Sequence, residues 1–303
     1  MNFENSTVRR RWLLTGAGAW AAGALLPADQ AVASLATRRD AGADTLLGGA
    51  RYKTTPSGPD LFALAKVVPA SQRVVLAHCG FFPHGWAVVP HQPGHAVLFE
   101  KMGPGAGVFD VHGMAYLGPV APADGRFFYG HGVFAQGGEL LLSTEADAQG
   151  NGYMGVRDGK TFRYQGDFPT FGVRPHDCHL TDGGRVLVVT NGGGEAGSGQ
   201  TPCVAYIDVA SRQLLHKHDM PGQAHNTGHL VAVDAATAWV VSAPRLGLDV
   251  DHTGAVSVCR ATAPLLTLLA APADLSPGLL GEALSICVVP HKDLVAVTHP
   301  TPG

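Results

Sequence analysis

The chain has 303 residues and a net charge of −3, with 15% charged residues, 40 glycines and 21 prolines. No lysine or arginine run follows the N-terminal segment, so a nucleic-acid footprint is excluded. High glycine and proline, many short β-branched runs and almost no helix-period segment predict an all-β fold.

The first residues form a basic segment, Arg9, Arg10 and Arg11, that runs into a moderately apolar stretch reaching Leu26. That order is a targeting order. The stretch contains Gly16, Gly18 and Gly23 and is shorter than the ~20 residues that span a bilayer. A small-residue site, Ala31-Val32-Ala33, follows, and cleavage is expected after Ala33. Arg9 and Arg10 with Trp12 and Leu13 behind them resemble a twin-arginine export signal, with Trp in place of the usual Phe. The expected organisation is a signal peptide over 1–33 and a single β domain over 34–303, in the periplasm, with no stable membrane span after cleavage.

Beyond the signal, apolar strands recur in units that open with a histidine and pass a glycine turn into a second strand. The openings are His84, His131, His176 and His229, and a fifth unit opens at Leu284 without the histidine. They lie 47, 45, 53 and 55 residues apart, close to the ~40–50 residues of a four-stranded propeller blade. Residues 45–77 supply three strands of another blade. The spacing predicts a β-propeller of six or seven four-stranded blades. The last unit stops two strands short, which reads as a truncated or divergent C-terminus.

Five cysteines (Cys79, Cys178, Cys203, Cys259 and Cys287) show no CxxC pair and no zinc spacing. Four lie in apolar strand runs, where cysteine behaves as a small hydrophobe, and buried thiols are expected.

In a propeller the first strand of each blade lines the central channel, so the four opening histidines could converge as a ring. Imidazole suits divalent transition metals, and a nearby carboxylate adds charge to such a site. Asp177 follows His176 directly, and Glu145 and Asp147 stand at a strand end. Tyr129 and Asn191 sit in glycine-confined segments. The ligand or channel candidates are therefore Tyr129, His131, Glu145, Asp147, His176, Asp177 and Asn191. His131, His176 and Asp177 are the metal candidates, with a divalent transition metal as the implied cofactor. The competing reading is that the histidines hydrogen-bond between blades and are inert. Alignment of the units holds only to one residue, and a bulge would have to absorb the slip. No Gly-x-Ser-x-Gly elbow and no phosphate loop occur, so serine hydrolase chemistry is not expected.

Four blocks, RFFYGHGVF (126–134), LSTEAD (142–147), VRPHD (173–177) and VVTNGG (188–193), resemble exported bacterial propellers of the family called domain of unknown function 1513 (DUF1513). The resemblance covers most of residues 45–303 and implies twin-arginine export and association with periplasmic iron-acquisition proteins. It carries no established reaction. Three departures stand out. Asp177 replaces the usual Glu, the segment before His229 is unlike the family pattern and weakens any claim for His229, and some fifty C-terminal residues are missing.

Two functions follow. One is a periplasmic propeller that binds a ligand or partner, with a metal such as iron as a candidate ligand at His131, His176, Asp177 and Glu145. The other is a lactonase-type or metal-assisted hydrolase, with His176 as general base oriented by Glu145 or Asp177. A quinone-dependent dehydrogenase is disfavoured, because no recurrent tryptophan docking motif is present.

Overall fold

The computed structural model describes residues 44–248, 252–270, 280–289, 292 and 294–300. The signal segment, with Arg9 and Arg10, lies outside the described residues. Among the described residues the chain is all β apart from three short 3-10 turns, and no helix is long and apolar enough to cross a membrane.

The strands form successive antiparallel meanders. The first is three-stranded: β1 (Leu46–Tyr52), β2 (Leu61–Val68) and β3 (Arg73–Cys79). Four four-stranded units follow. They are β4 (Pro83–Val88) to β7 (Ala115–Pro119), β8 (Arg126–Ala135) to β11 (Tyr164–Val173), β12 (Pro175–Thr181) to β15 (Leu214–Asp219), and β16 (Leu230–Ala232) to β19 (Thr267–Leu268). A two-stranded unit, β20 (Ser285–Val288) and β21 (Val295–Thr298), ends the series. Four of the five openings read from the sequence lie at the start of an inner strand or just before one; His131 instead lies midway along β8, at its register shift. The long β5 (His95–Gly103) also pairs with β8, at Lys101↔Tyr129 and Gly103↔Phe128, which joins two neighbouring units.

Burial follows position in the unit. The second strands β9 (Leu140–Asp147) and β13 (Val186–Asn191) lie between neighbouring sheets and are buried nearly end to end. Both faces being covered explains why they read as continuous apolar runs rather than alternating ones. The outermost strands β7 and β15 are mostly exposed. Each core cluster lies between two consecutive units. Leu142, Met154, Val156 and Phe168 pack on Leu187, Val189, Ala205 and Ile207, and Val97, Phe99 and Ala106 pack on Phe128 and Leu141.

Turns follow from composition. Gly137 and Gly138 (φ 67° and 98°) turn β8 into β9, and Gly183 and Gly184 (φ 64° and 89°) turn β12 into β13, a left-handed backbone that glycine adopts without strain. Asp158 and Asp208 cap the turns to the fourth strands by accepting the amides of Thr161 and Ser211, each at 2.7 Å. The cysteines are all free. Cys178, Cys203 and Cys259 are buried as expected, Cys79 is half-buried, and Cys287 on β20 is exposed.

Candidate functional site

The slip of one residue between units is absorbed by irregular pairing at the histidines themselves. Register shifts fall between Pro83 and Gly85 around His84, between Phe128 and Gly132 around His131, and between Pro175 and Cys178 around His176. His229 stands just before β16. A bulge re-aims the side chain it carries, and here the result is convergence. The four rings stack and tilt against one another with centroids 4.6–5.5 Å apart. One ring nitrogen from each of His84, His131, His176 and His229 lies within 4.8 Å of the other three.

Hydroxyls on the second strands hold the inner strands in place. Thr144 Oγ1 accepts the His131 amide at 3.3 Å and sits 3.1 and 3.3 Å from the carbonyls of His131 and His176, which belong to adjacent units. Thr190 repeats the arrangement between the Asp177 amide (3.0 Å) and the Gly228 carbonyl (2.7 Å). Two glycines make room for the rings. A Cβ on Gly85 would lie 2.7 Å from His131 Nδ1, and one on Gly130, whose φ is +110°, would lie 2.6 Å from His84 Cδ2.

The outward-facing ring atoms fix the tautomers. His131 Nδ1 lies 3.1 Å from Asp177 Oδ1, and His229 Nδ1 donates to the Leu284 carbonyl at 2.5 Å. A carbonyl and a carboxylate only accept, which favours the tautomers with hydrogen on both Nδ1 atoms and bare Nε2 atoms turned inward. Those two Nε2 atoms face each other at 3.2 Å. His84 Nε2 is buried with no hydrogen-bond partner among the described residues.

Burial pushes His131 down to about 4, only partly offset by Asp177. Burial likewise pushes His84 and His176 far below the usual imidazole value. Burial alone would raise the Asp177 carboxyl, but His131, His179, His229 and the Leu230 amide outweigh it and hold it low. Asp177 is anchored from three sides: besides His131, its oxygens accept the Cys178 amide at 2.8 Å and the Leu230 amide at 3.0 Å.

Neutral buried imidazoles are the form that ligates a metal. With metal–nitrogen bonds of about 2.0–2.1 Å, the 3.2 Å His131–His229 separation subtends roughly 100°, between octahedral and tetrahedral angles. Four nitrogens on one metal lie within about 4.2 Å of one another, so a small inward rotation of the rings completes the site.

Of the residues singled out in the sequence, His131, His176 and Asp177 meet here, joined by His84 and His229. The others are engaged elsewhere. Glu145 is fully buried against Arg157 Nη1 at 2.7 Å and also accepts Ser143 Oγ and the Ala123 amide. Successive strand side chains point to opposite faces, so Glu145 points away from the side on which Thr144 touches the histidine strands. Asp147 folds a turn by accepting the amides of Gln149 and Asn151. Asn191 is buried and bonded to Thr170 through both its oxygen and its nitrogen. Tyr129 is buried beside Phe127. Sequence reading missed Gly85, Thr144 and Thr190. The hydroxyls had a signal in the recurring ends LST, VVT and VVS of the second strands.

An all-β chain of successive four-stranded meanders, with a histidine delivered to one point by four inner strands, defines a protein of the propeller class. It belongs to the family described as "Protein of unknown function (DUF1513)", which matches residues 82–303. Among solved structures the chain is similar to "Kuenenia stuttgartiensis Hydrazine Synthase", at 15% identity and a TM-score of 0.60, covering 79% of this chain and 70% of that one. It is similar also to "TolB from Acinetobacter baumannii", at 15% identity and a TM-score of 0.50, covering 74% of this chain. The chain spans 52% of that structure's length. Both likenesses speak to the fold alone. No curated protein sequence matches.

Proposed function

We propose that this protein is a periplasmic β-propeller of six or seven blades, exported by the twin-arginine route, that holds a divalent transition metal between His84, His131, His176 and His229. Asp177 orients His131 from outside the ligand set. The observation that carries the reading is the pair of bare Nε2 atoms of His131 and His229, 3.2 Å apart, beside the unpartnered, buried Nε2 of His84. Inward lone pairs repel, and a hydrogen bond across them requires an imidazolium in a cage of three other imidazoles. A cation satisfies all four rings at once. The ligand set is all nitrogen and neutral, which suits iron, zinc, copper or nickel over magnesium or calcium. The family's implied partners, periplasmic iron-acquisition proteins, make iron the metal to test first.

Hydrolysis with His176 as general base has less support. Neither carboxylate assigned to that role touches the His176 ring: Glu145 is bound to Arg157 and Asp177 to His131. The test is elemental analysis of mature protein purified from periplasm, beside the His131→Ala, His176→Ala double variant. The expected result is about one metal per chain, lost in the variant. Protein that retains no metal and binds none at micromolar concentration overturns the reading.

A further inference from the structure

Lys101 is used by nothing described so far. It stands on β5, opposite Tyr129 on β8, and its side chain is exposed. Its Cβ lies 3.5 Å from the place a Cβ on Gly130 would take, and His84 Cδ2 lies 2.6 Å from the same point. The root of Lys101 and the His84 ring thus both border Gly130. Of the charged groups that act on buried His176, Lys101 acts most strongly, ahead of the other three histidines, and it acts on His84 and His131 as well. Its ammonium forms no ion pair among the described residues; desolvation pushes it down from the usual lysine value, and Glu282 offsets this in part.

A cation beside four metal-binding imidazoles opposes the metal unless something negative comes between them. The ligands are neutral, so a bound dication keeps its full charge. With Lys101 added, three positive charges face two negative ones, Asp177 and Glu282. Four nitrogen ligands also leave coordination positions open on a six-coordinate metal. We propose that the centre binds a small monoanion with an oxygen donor, of the carboxylate class, on the metal, held on its outer side by the Lys101 ammonium. The anion cancels the remaining charge and turns Lys101 from an opponent of the metal into a donor of a charge-assisted hydrogen bond. No bond is made or broken beyond coordination.

This inference rests on the metal reading, and one experiment separates the two. Cobalt(II) is loaded into the apoprotein and its visible d–d bands are followed while acetate, then azide as a stronger probe of the same position, is added. Wild type is expected to show a saturable band shift with each anion. Lys101→Gln should bind cobalt at least as tightly, since a charge opposing the metal is gone, but bind the anions roughly tenfold or more weakly, the loss of one charge-assisted hydrogen bond. Lys101→Arg should restore most of the anion affinity. Cobalt bands that ignore both anions, or anion affinities that are equal in wild type and Lys101→Gln, overturn the anion site and leave the metal centre standing. Failure of cobalt to bind at all overturns both.

Discussion

Replacing Asp177 with asparagine keeps the shape of the side chain and removes its charge, and the geometry leaves the amide no good orientation. Its oxygen can accept from His131 Nδ1 and the Cys178 amide, where Asp177 Oδ1 now does, but its NH2 then faces the Leu230 amide that Oδ2 accepts at 3.0 Å. Flipped, it satisfies Leu230 and presents a donor to the donor on His131. Either way one buried donor loses its acceptor, at a cost of about 1–3 kcal/mol, which for a domain of this size lowers Tm by roughly 2–10 °C. The second consequence is separate. Without the carboxylate the His131 tautomer is no longer fixed with Nε2 bare, and loss of such an orienting partner typically weakens metal affinity about 10–100-fold. Competition against a chelating indicator dye, at a temperature well below the Tm of both proteins, reads the affinity alone. A variant that is less stable but binds metal within about twofold of wild type would refute the orienting role and leave Asp177 as a structural anchor.

The Glu145–Arg157 pair makes the opposite prediction. Both side chains are fully buried, so Glu145→Ala strands a charge and is expected to cost about 3–5 kcal/mol in chemical denaturation, while metal content in the folded fraction stays at the wild-type level. Gly130→Ala places a Cβ 2.6 Å from His84 at a φ of +110°; metal analysis should show occupancy falling well below that of wild type, and full occupancy would count against close packing of that ring. The apoprotein should lose stability on acidification. His131 is near 6.5 when unfolded and is pushed to about 4 when folded, so the unfolded chain binds the extra proton. Stability is then fully present above pH ~6.5 and falls by roughly 3 kcal/mol for this residue alone as pH drops to about 4. Urea midpoints measured on metal-free protein across that range check it, and a flat profile contradicts the burial of the ring.

Fold and site differ in how much of each can be read from residues. The meanders were legible because covered second strands such as Leu140–Asp147 must be continuously apolar and glycine must occupy turns such as Gly137-Gly138. The openings at His84, His176 and His229 also fall where inner strands begin, whereas His131 lies midway along β8. Membership of the cluster was harder to read, because it depends on bulges at His84, His131 and His176 that change which face a side chain takes, and a one-residue shift has no local signature. Glu145 was attractive as an acid near a strand end, but its partner Arg157 lies on the next strand, opposite Leu141 in register, a pairing that only the folded sheet brings about. The unusual segment before His229 argues against that residue in the sequence, yet it delivers Gly228 to Thr190 and so sets the entry of the ring.

The alternative that the histidines are inert hydrogen-bonders between blades can be weighed by counting donors. A neutral imidazole has one N–H. For His131 and His229 that N–H is spent outward, on Asp177 and on the Leu284 carbonyl. The pair therefore brings two acceptors and no donor to the centre of the cluster, where His84 adds a nitrogen without a partner. A network built for interblade hydrogen bonding would turn at least one N–H inward, since an unpaired buried polar atom is costly and a flipped ring would cure it. Here the flip is opposed by a carboxylate itself fixed by two backbone amides. The fold commits a buried charge, held by two backbone hydrogen bonds, to keeping one lone pair aimed at the centre, an arrangement that makes energetic sense when a cation occupies it.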